Sequence, residues 1–429
     1  MSSSLEHALT AAGPPGTFTI SADEEDYGRY NWACMPHVRR EEYVRLPEEY
    51  ELRYVEVIQR HHKRTPYASN TLYEEDIEWD CPKEGPFHHG KSQTRGTTSI
   101  YWQTQRNTNN PIERTVGTGF RGSSCTFPTL TSQGIEDARR HGEDFGGVYR
   151  DMLHFLPTDR SKYEWRVTNN VLTTQTLGGF AAGLYPTVSQ YPAKVQPASF
   201  DSLEPAYACP LADRLLAEIE SDAEWTAHLV QSQPLRDRFN SVTGTNPDAL
   251  GWKRSWDHPF DNLASKQSHG LPLPCSLDDR AFCIDQTHAD RIYRLGNWES
   301  LHRYRGSPQS LLLSVLKMGD WITELRHNLE AAVRGEPMLY RHNFAHDGSI
   351  AALLGILQID RPEWPGMGAE AVFELYWRKE EWFIRVLYSG QTLETSTPLG
   401  TLNMVKLSVF IAYLDQVIPD LVEQCTSFH

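Results

Sequence analysis

The chain has 429 residues, 39% of them hydrophobic, enough for a substantial core and for two or three compact units. Its formal charge of −15, from 41 basic and 56 acidic residues, argues against nucleic acid as the partner. No run of about 18 apolar residues occurs, so no membrane span is predicted.

The stretch from Met1 to Phe18 is polar, contains Pro and Gly, and lacks the apolar centre of a secretory signal. No N-x-[ST] acceptor occurs either, and together these predict a cytoplasmic protein. Seven cysteines (Cys34, Cys81, Cys125, Cys209, Cys275, Cys283 and Cys425) lie scattered with no C-x-x-C pair, so no zinc site is predicted. In the cytosol most of them are expected to be reduced core residues; in a secreted chain pairs become plausible, with partners unspecified.

In chain order, residues 1–48 read as an irregular arm and 52–59 as a buried strand. Residues 67–130, rich in Gly, Pro, Asn, Thr and Cys, read as a long decorated loop. A helix is predicted over 131–155, with Thr131 and Ser132 as cap candidates and Ile135, Ala138, Phe145, Val148, Tyr149 and Met152 at helical spacing. A second strand is predicted at 165–168 and a helix at 174–184. Residues 188–335 change character, with Pro-rich joints and amphipathic runs at 211–221 and 307–334, and read as a mostly helical cap. A third strand follows at 338–345, then a helix from Ser349. Strands at 371–377 and 382–388 alternate polar and apolar residues, as a half-covered antiparallel or edge pair does. A last helix is predicted over 405–425. Strands alternating with helices at both ends, split by a helical block, predict one α/β core from 49–187 and 336–429 carrying the 188–335 insertion.

The chemistry concentrates in Arg60-His61-His62-Lys63-Arg64-Thr65-Pro66, directly after the first strand. Guanidinium forks bind phosphate oxygens bidentately, and a histidine between them can attack phosphorus and carry the phosphoryl group. The carboxyl end of a strand in an open α/β sheet is where ligands bind. Lys63 reads as a solvated edge of this anion funnel. His346 and Asp347 stand side by side where the third strand meets its helix. A carboxyl group there can protonate a leaving alcohol, and the imidazole can donate to an oxygen of the transferring group. Asp347 also suits a helix cap, and the two roles are compatible. His88 and His89 lack a carboxylate or Cys at ligand spacing and read as surface residues; Glu374 receives no catalytic role.

Arg60-His61-x-x-Arg64-x-Pro66 together with His346-Asp347 resembles the histidine acid phosphatases, the second clade of the histidine phosphatase superfamily, which includes phytases. Trp79-Asp80-Cys81, the Cys125–Thr131 stretch, Gly183-Leu184-Tyr185-Pro186, Phe373-Glu374-Leu375 and Arg385–Gly390 are similar to the family as well. The heptad at 60–66 and Tyr30–Cys34 resemble a fungal subgroup. The resemblance spans roughly 30–425 of the chain. It implies a three-layer α/β core with a large helical cap, His61 as the phosphorylated nucleophile, and Arg60 and Arg64 as phosphate clamps. It further implies His346 as a phosphate ligand, Asp347 as the proton donor, and no metal or other cofactor.

The chain departs from that pattern at three points. His62 stands where the family has glycine. Leu172 stands at the third clamp arginine, within Arg166-Val167-Thr168-Asn169-Asn170-Val171-Leu172-Thr173, so Arg166 is the nearest substitute cation. No leader is seen, although family members are mostly secreted. The first reading is a phosphomonoesterase whose partner is a small-molecule ester. Without a clear basic cluster in the cap, a simple or hydrophobic ester is expected rather than phytate. Two alternatives stay open: a repurposed intracellular tailoring enzyme of small-molecule biosynthesis using His61, His62 and Asp347 for acid–base chemistry, and a non-catalytic anion-binding protein. Oligomeric state is not specified by the sequence.

Overall fold

The computed structural model describes residues 4–18, 27–72, 74–82, 84–92, 96–103, 105–107, 109–113, 119, 122–187, 191–204 and 206–426, with side chains outside 84–103. An eight-stranded mixed sheet runs in the order Val405–Lys406, Glu381–Tyr388, Glu370–Arg378, Glu51–Arg60, Tyr340–Ala345, Tyr163–Val167, Ala193–Lys194, and Gln391–Thr392 pairs with Glu381–Tyr388 off that path. Glu51–Arg60 lies parallel to Tyr340–Ala345 and antiparallel to Glu370–Arg378. Tyr340–Ala345 lies parallel to Tyr163–Val167.

Side chains alternate across a strand, and the first strand uses both faces. Tyr54 and Ile58 join one buried apolar cluster with Trp321, Leu325, Ile350 and Leu353. Val55 and Val57 join another with Phe145, Phe180 and Phe344. The helices Ser310–Val333 and Asp347–Ile356 therefore cover one face, and Ser132–Gly146 and Val171–Leu184 the other. This is the expected three-layer α/β architecture.

The predicted elements mostly appear, with several corrections. Thr131 caps its helix by accepting from the Gly134 amide at 3.1 Å. The 67–130 loop contains a hairpin, Glu84–Ser92 with Gly96–Gln103. The last helix is two, Leu407–Val417 and Leu421–Thr426, because Pro419 between them supplies no amide donor. The strands Glu370–Arg378 and Glu381–Tyr388 do form an antiparallel pair, yet neither is half-covered: Glu370, Glu374 and Arg385 are buried and pair internally. The alternation came from these buried charges, not from a wet face. The Ser310–Val333 helix, read as part of the cap, contributes Trp321 and Leu325 to the core beneath the sheet.

The cysteine expectation is overturned. Cys81–Cys125, Cys209–Cys425 and Cys275–Cys283 are disulfides, which leaves the Cys34 thiol buried. Sequence separations of 44, 216 and 8 residues explain why spacing gave no sign of them.

Candidate functional site

Two strand ends carry the site. Arg60 closes the first strand and its amide donates to Ala369 O at 2.7 Å, while the His61 amide donates to Ala345 O at 3.2 Å. The 60–66 loop is thus suspended between the third strand and the segment before Glu370–Arg378. The loop also rests on the start of the Ser132–Gly146 helix, where Lys63 O would lie 1.9 Å from any Cβ at position 134. Only glycine permits that approach. Lys63 is not a solvated funnel edge: it is 1% exposed and its Nζ sits 3.0 Å from Asp137.

His61 is buried, and its Nδ1 lies 3.0 Å from the His62 carbonyl oxygen. A carbonyl only accepts, so this contact places the proton on Nδ1 and leaves the Nε2 lone pair available. Burial first, then the charges of Arg60 and Arg64 and the neighbouring His346, hold the His61 pKa well below the usual imidazole range. The ring is therefore neutral, as a nucleophile must be.

His346 meets His61 edge to face at 5.5 Å between ring centroids. Its Nε2 lies 2.9 Å from Thr168 Oγ1 and 3.2 Å from Glu204 Oε2. Asp347 opens the Asp347–Ile356 helix, with His346 at the cap position. Its Oδ2 lies 3.1 Å from Arg60 Nη2 and accepts from the Trp364 indole at 2.7 Å. Burial raises the Asp347 pKa, but Arg60, the indole bond and Arg64 outweigh it and hold the carboxyl below its ordinary value. Asp347 is a carboxylate paired with Arg60. Both Arg60 Nε and Arg64 Nε are buried without a hydrogen-bond partner.

The structure brings Arg60, His61, Arg64, His346 and Asp347 together and ties His62 and Arg166 into contacts of their own. The His62 ring lies 3.1 Å from His141 Nδ1 and 3.2 Å from Gln59 Nε2. It packs over Gly368, where a Cβ would lie 2.5 Å from its Cε1. His62 thus faces a buried polar network that continues from His141 to Glu370 at 2.9 Å and from Gln59 to His342 at 2.8 Å. Glycine is needed here too, but against the ring instead of in the loop. Arg166 is not a replacement clamp: it pairs with Glu324 at 2.6 Å and Asp201 at 3.1 Å and also donates to Ser202. Leu172 is fully buried at the start of the Val171–Leu184 helix and offers no donor beyond its amide, which Asn170 Oδ1 takes at 3.0 Å. The side chains of His88 and His89 lie outside the described residues. Glu374 is an internal counter-ion to Arg385 that also accepts from Tyr149 at 2.6 Å and Tyr43 at 2.7 Å.

Sequence reasoning missed Asp261, Glu204, Tyr67 and Trp364. Asp261 lies mid-helix in Asp257–Ser268, 197 residues from Arg64, and no local pattern marks it. Tyr67 follows Pro66 directly, and its ring lies under the Arg64 guanidinium at 4.5 Å. No group of three or more His, Cys, Asp or Glu side chains suited to a metal occurs among the described residues.

Comparison with known proteins adds an independent line. The sequence profile of the histidine phosphatase superfamily (branch 2) matches residues 51–389. The chain is 25% identical over 303 residues to 2-phosphoxylose phosphatase 1 of Danio rerio, across 64% of this chain and 59% of that protein, less than two thirds of its length. It is 24% identical over 362 residues to lysophosphatidic acid phosphatase type 6 of Bos taurus, across 80% of this chain and 78% of that one. A phytase from Hafnia alvei, solved with myo-inositol hexakis sulphate, superposes with a TM-score of 0.57 at 13% identity, covering 88% of this chain and 99% of its own. The phytase of D. castellii superposes with a TM-score of 0.52 at 15% identity, over 92% and 86% of the two chains. At such identities these two show likeness of fold.

Proposed function

The chain belongs to the histidine phosphatase superfamily (branch 2), and from that premise we propose that it hydrolyses phosphomonoesters through a phosphohistidine on His61. The observation that carries this is the neutral, oriented imidazole: Nδ1 is committed to the His62 carbonyl, and Nε2 stands beside two buried guanidinium groups. In the first step Nε2 attacks phosphorus, the P–O bond to the alcohol breaks, and Asp347 supplies the proton to the departing oxygen. Asp347 must therefore gain a proton when substrate arrives. A phosphoryl group that takes the Arg60 guanidinium removes the carboxylate's counter-charge and adds a like charge, and both changes raise its pKa. In the second step water attacks phosphorus, the P–N bond breaks, and Asp347 takes up the water's proton. Arg60 and His346 hold the equatorial oxygens; with Leu172 in place of a third cation, the pocket is a weak clamp by the standard of lost oxyanion donors, roughly 10²–10³ in rate each.

A simple or hydrophobic monoester of a small molecule is the proposed substrate. The relatives named for 2-phosphoxylose and lysophosphatidic acid support that reading over an inositol polyphosphate. The three disulfides favour an oxidising compartment over the cytoplasm as its location. The test is phosphate release from an aryl phosphate by the wild type beside His61→Ala. Turnover lost in the variant supports the assignment; equal turnover in both refutes it.

A further inference from the structure

Thr168 follows the Tyr163–Val167 strand directly and is fully buried, at a third strand end beside His346. Its hydroxyl touches Thr173 Oγ1 at 3.0 Å and His346 Nε2 at 2.9 Å, and it has one proton for the two. The Thr173 hydroxyl donates to the Asn170 and Thr168 carbonyl oxygens at 3.0 and 3.2 Å, so towards Thr168 it accepts. The Thr168 proton therefore goes to Thr173, and Thr168 accepts from His346. Glu204 points to the same polarity independently. Its Oε2 lies 3.2 Å from the same Nε2, and a carboxylate only accepts. A bare Nε2 would face it lone pair to lone pair. Nε2 thus carries a proton, shared between Thr168 and Glu204.

The backbone before Glu204 is fastened beside His346. Ser349, in the helix that opens with Asp347, donates to the Leu203 carbonyl, and the Leu203 amide donates to Asp201 Oδ1 at 3.0 Å. The other ring nitrogen, Nδ1, is uncommitted. His346 holds the cap position without a capping bond from its side chain. Its Nδ1 makes no hydrogen bond among the described residues and is not one of the atoms sealed from solvent. It is the nitrogen open to an incoming oxygen. In a neutral ring the one proton sits on Nε2, and Nδ1 then offers a lone pair, which repels an unprotonated phosphoryl oxygen. To donate there the ring must carry a second proton. The charged groups about it are Glu204 on the Nε2 side, Asp347 next in the chain, and Arg60 and Arg64, which act together with His346 on both His61 and Asp347. A phosphoryl dianion at Nδ1 puts negative charge on the second side of the ring, and opposite charge favours the imidazolium.

Resting on the phosphatase reading and deepening it, we propose that Thr168 and Glu204 are positioning residues for His346: they hold its Nε2 proton, so that the ring meets the phosphoryl group through Nδ1–H as an imidazolium. His346 then brings a third positive charge to the site beside Arg60 and Arg64, where Leu172 offers none.

The experiment records long-range proton–nitrogen NMR spectra of isotope-labelled histidines with the protein saturated by sulfate, a dianion that needs no turnover. His346→Asn assigns the signal by its loss. Wild type, Glu204→Gln, Thr168→Val and Thr168→Ser are compared, and aryl phosphate hydrolysis is measured beside them. In the wild type both nitrogens of His346 should carry protons. Glu204 is half exposed, so Glu204→Gln spares the fold while removing the charge, and its ring should move towards the neutral form protonated on Nε2. Thr168→Val removes the acceptor and should lower kcat about tenfold or more, the worth of a hydrogen bond to a charged group, and Thr168→Ser should restore it. A single proton on His346 in the wild-type complex, or a bare Nε2, would overturn the assignment. So would a spectrum unchanged in Glu204→Gln, or a kcat equal in Thr168→Val and wild type or not recovered in Thr168→Ser. Hydrolysis by the wild type would in each of these cases keep the phosphatase reading. The expected spectra without turnover by any of the proteins would keep the positioning pair and overturn the phosphatase reading. Sulfate bound by none of them would overturn both.

Discussion

Replacing Gly368 by alanine tests how the motif loop is held. Gly368 has φ +74, in the left-handed region, and an added Cβ would lie 2.5 Å from His62 Cε1 and 2.9 Å from Nδ1. A non-glycine residue in that conformation costs about 1–2 kcal/mol. The ring cannot move aside freely, being 1% exposed and tied to Gln59 and His141. Overpacking of that kind costs about 1–3 kcal/mol, so the two contributions together predict a loss of about 2–5 kcal/mol. Because the His62 carbonyl fixes the His61 tautomer, turnover should fall along with stability. The assay is urea unfolding, read as a fall in midpoint at constant slope. Repeating it in a His62→Gly background removes the ring, and there Gly368→Ala should cost only the backbone share of about 1–2 kcal/mol. Equal costs in the two backgrounds would refute the proposed contact, as would a cost below about 0.5 kcal/mol in the wild type.

Acid should unfold the protein early. Burial drives His61, His62, His141 and His342 well below their usual pKa, and His269 falls to about 4. The unfolded chain therefore takes up protons first, near 6.5, and stability is full above that value and lost as pH falls, by about 1.4 kcal/mol per pH unit per histidine. Glu56, Asp137, Asp320, Glu363 and Glu370, raised mainly by burial, titrate in the opposite sense and favour the folded state as pH falls; they offset part of the loss, but four of the five histidines carry the larger shifts. A urea midpoint that stays flat from about pH 8 to about pH 5 would contradict this. Thiol titration in denaturant should find one thiol before reduction and seven after it, and Cys209→Ser with Cys425→Ser should cost about 2–4 kcal/mol of stability. Seven thiols before reduction would remove the disulfides. Asp347→Asn should slow hydrolysis of an alkyl phosphate by about 10²–10⁴ and that of an aryl phosphate much less, since a good leaving group needs no proton; equal losses would deny Asp347 the role of acid.

The first strand, its motif, the His346-Asp347 pair and the flanking helices were legible because each depends on local sequence: a buried apolar run, a cap, a helical period. The antiparallel pair was legible, but its environment was not, since Glu374 looks solvent-facing until Arg385, Tyr43 and Tyr149 are seen around it. From the sequence His62 reads as a pocket residue, because glycine's usual place in the loop suggests contact with phosphate. The network of Gln59, His141, His342 and Glu370 that draws the ring inward joins residues far apart in the chain. Arg166 likewise looked available until Glu324 and Asp201, from distant segments, took it up. Asp261 and the Cys81–Cys125 and Cys209–Cys425 disulfides belong to the same class: pairings across dozens to hundreds of residues, which periodicity does not report.

The central claim is that His61 carries the phosphoryl group. The most direct measurement is a rapid alkaline quench of the protein turning over an aryl phosphate, followed by mass analysis of the peptide containing His61. One phosphoryl group on His61 in the wild type, and none in His61→Ala, is the predicted result. Turnover by the wild type with His61 unmodified at every quench time, and undiminished turnover by His61→Ala, would contradict it.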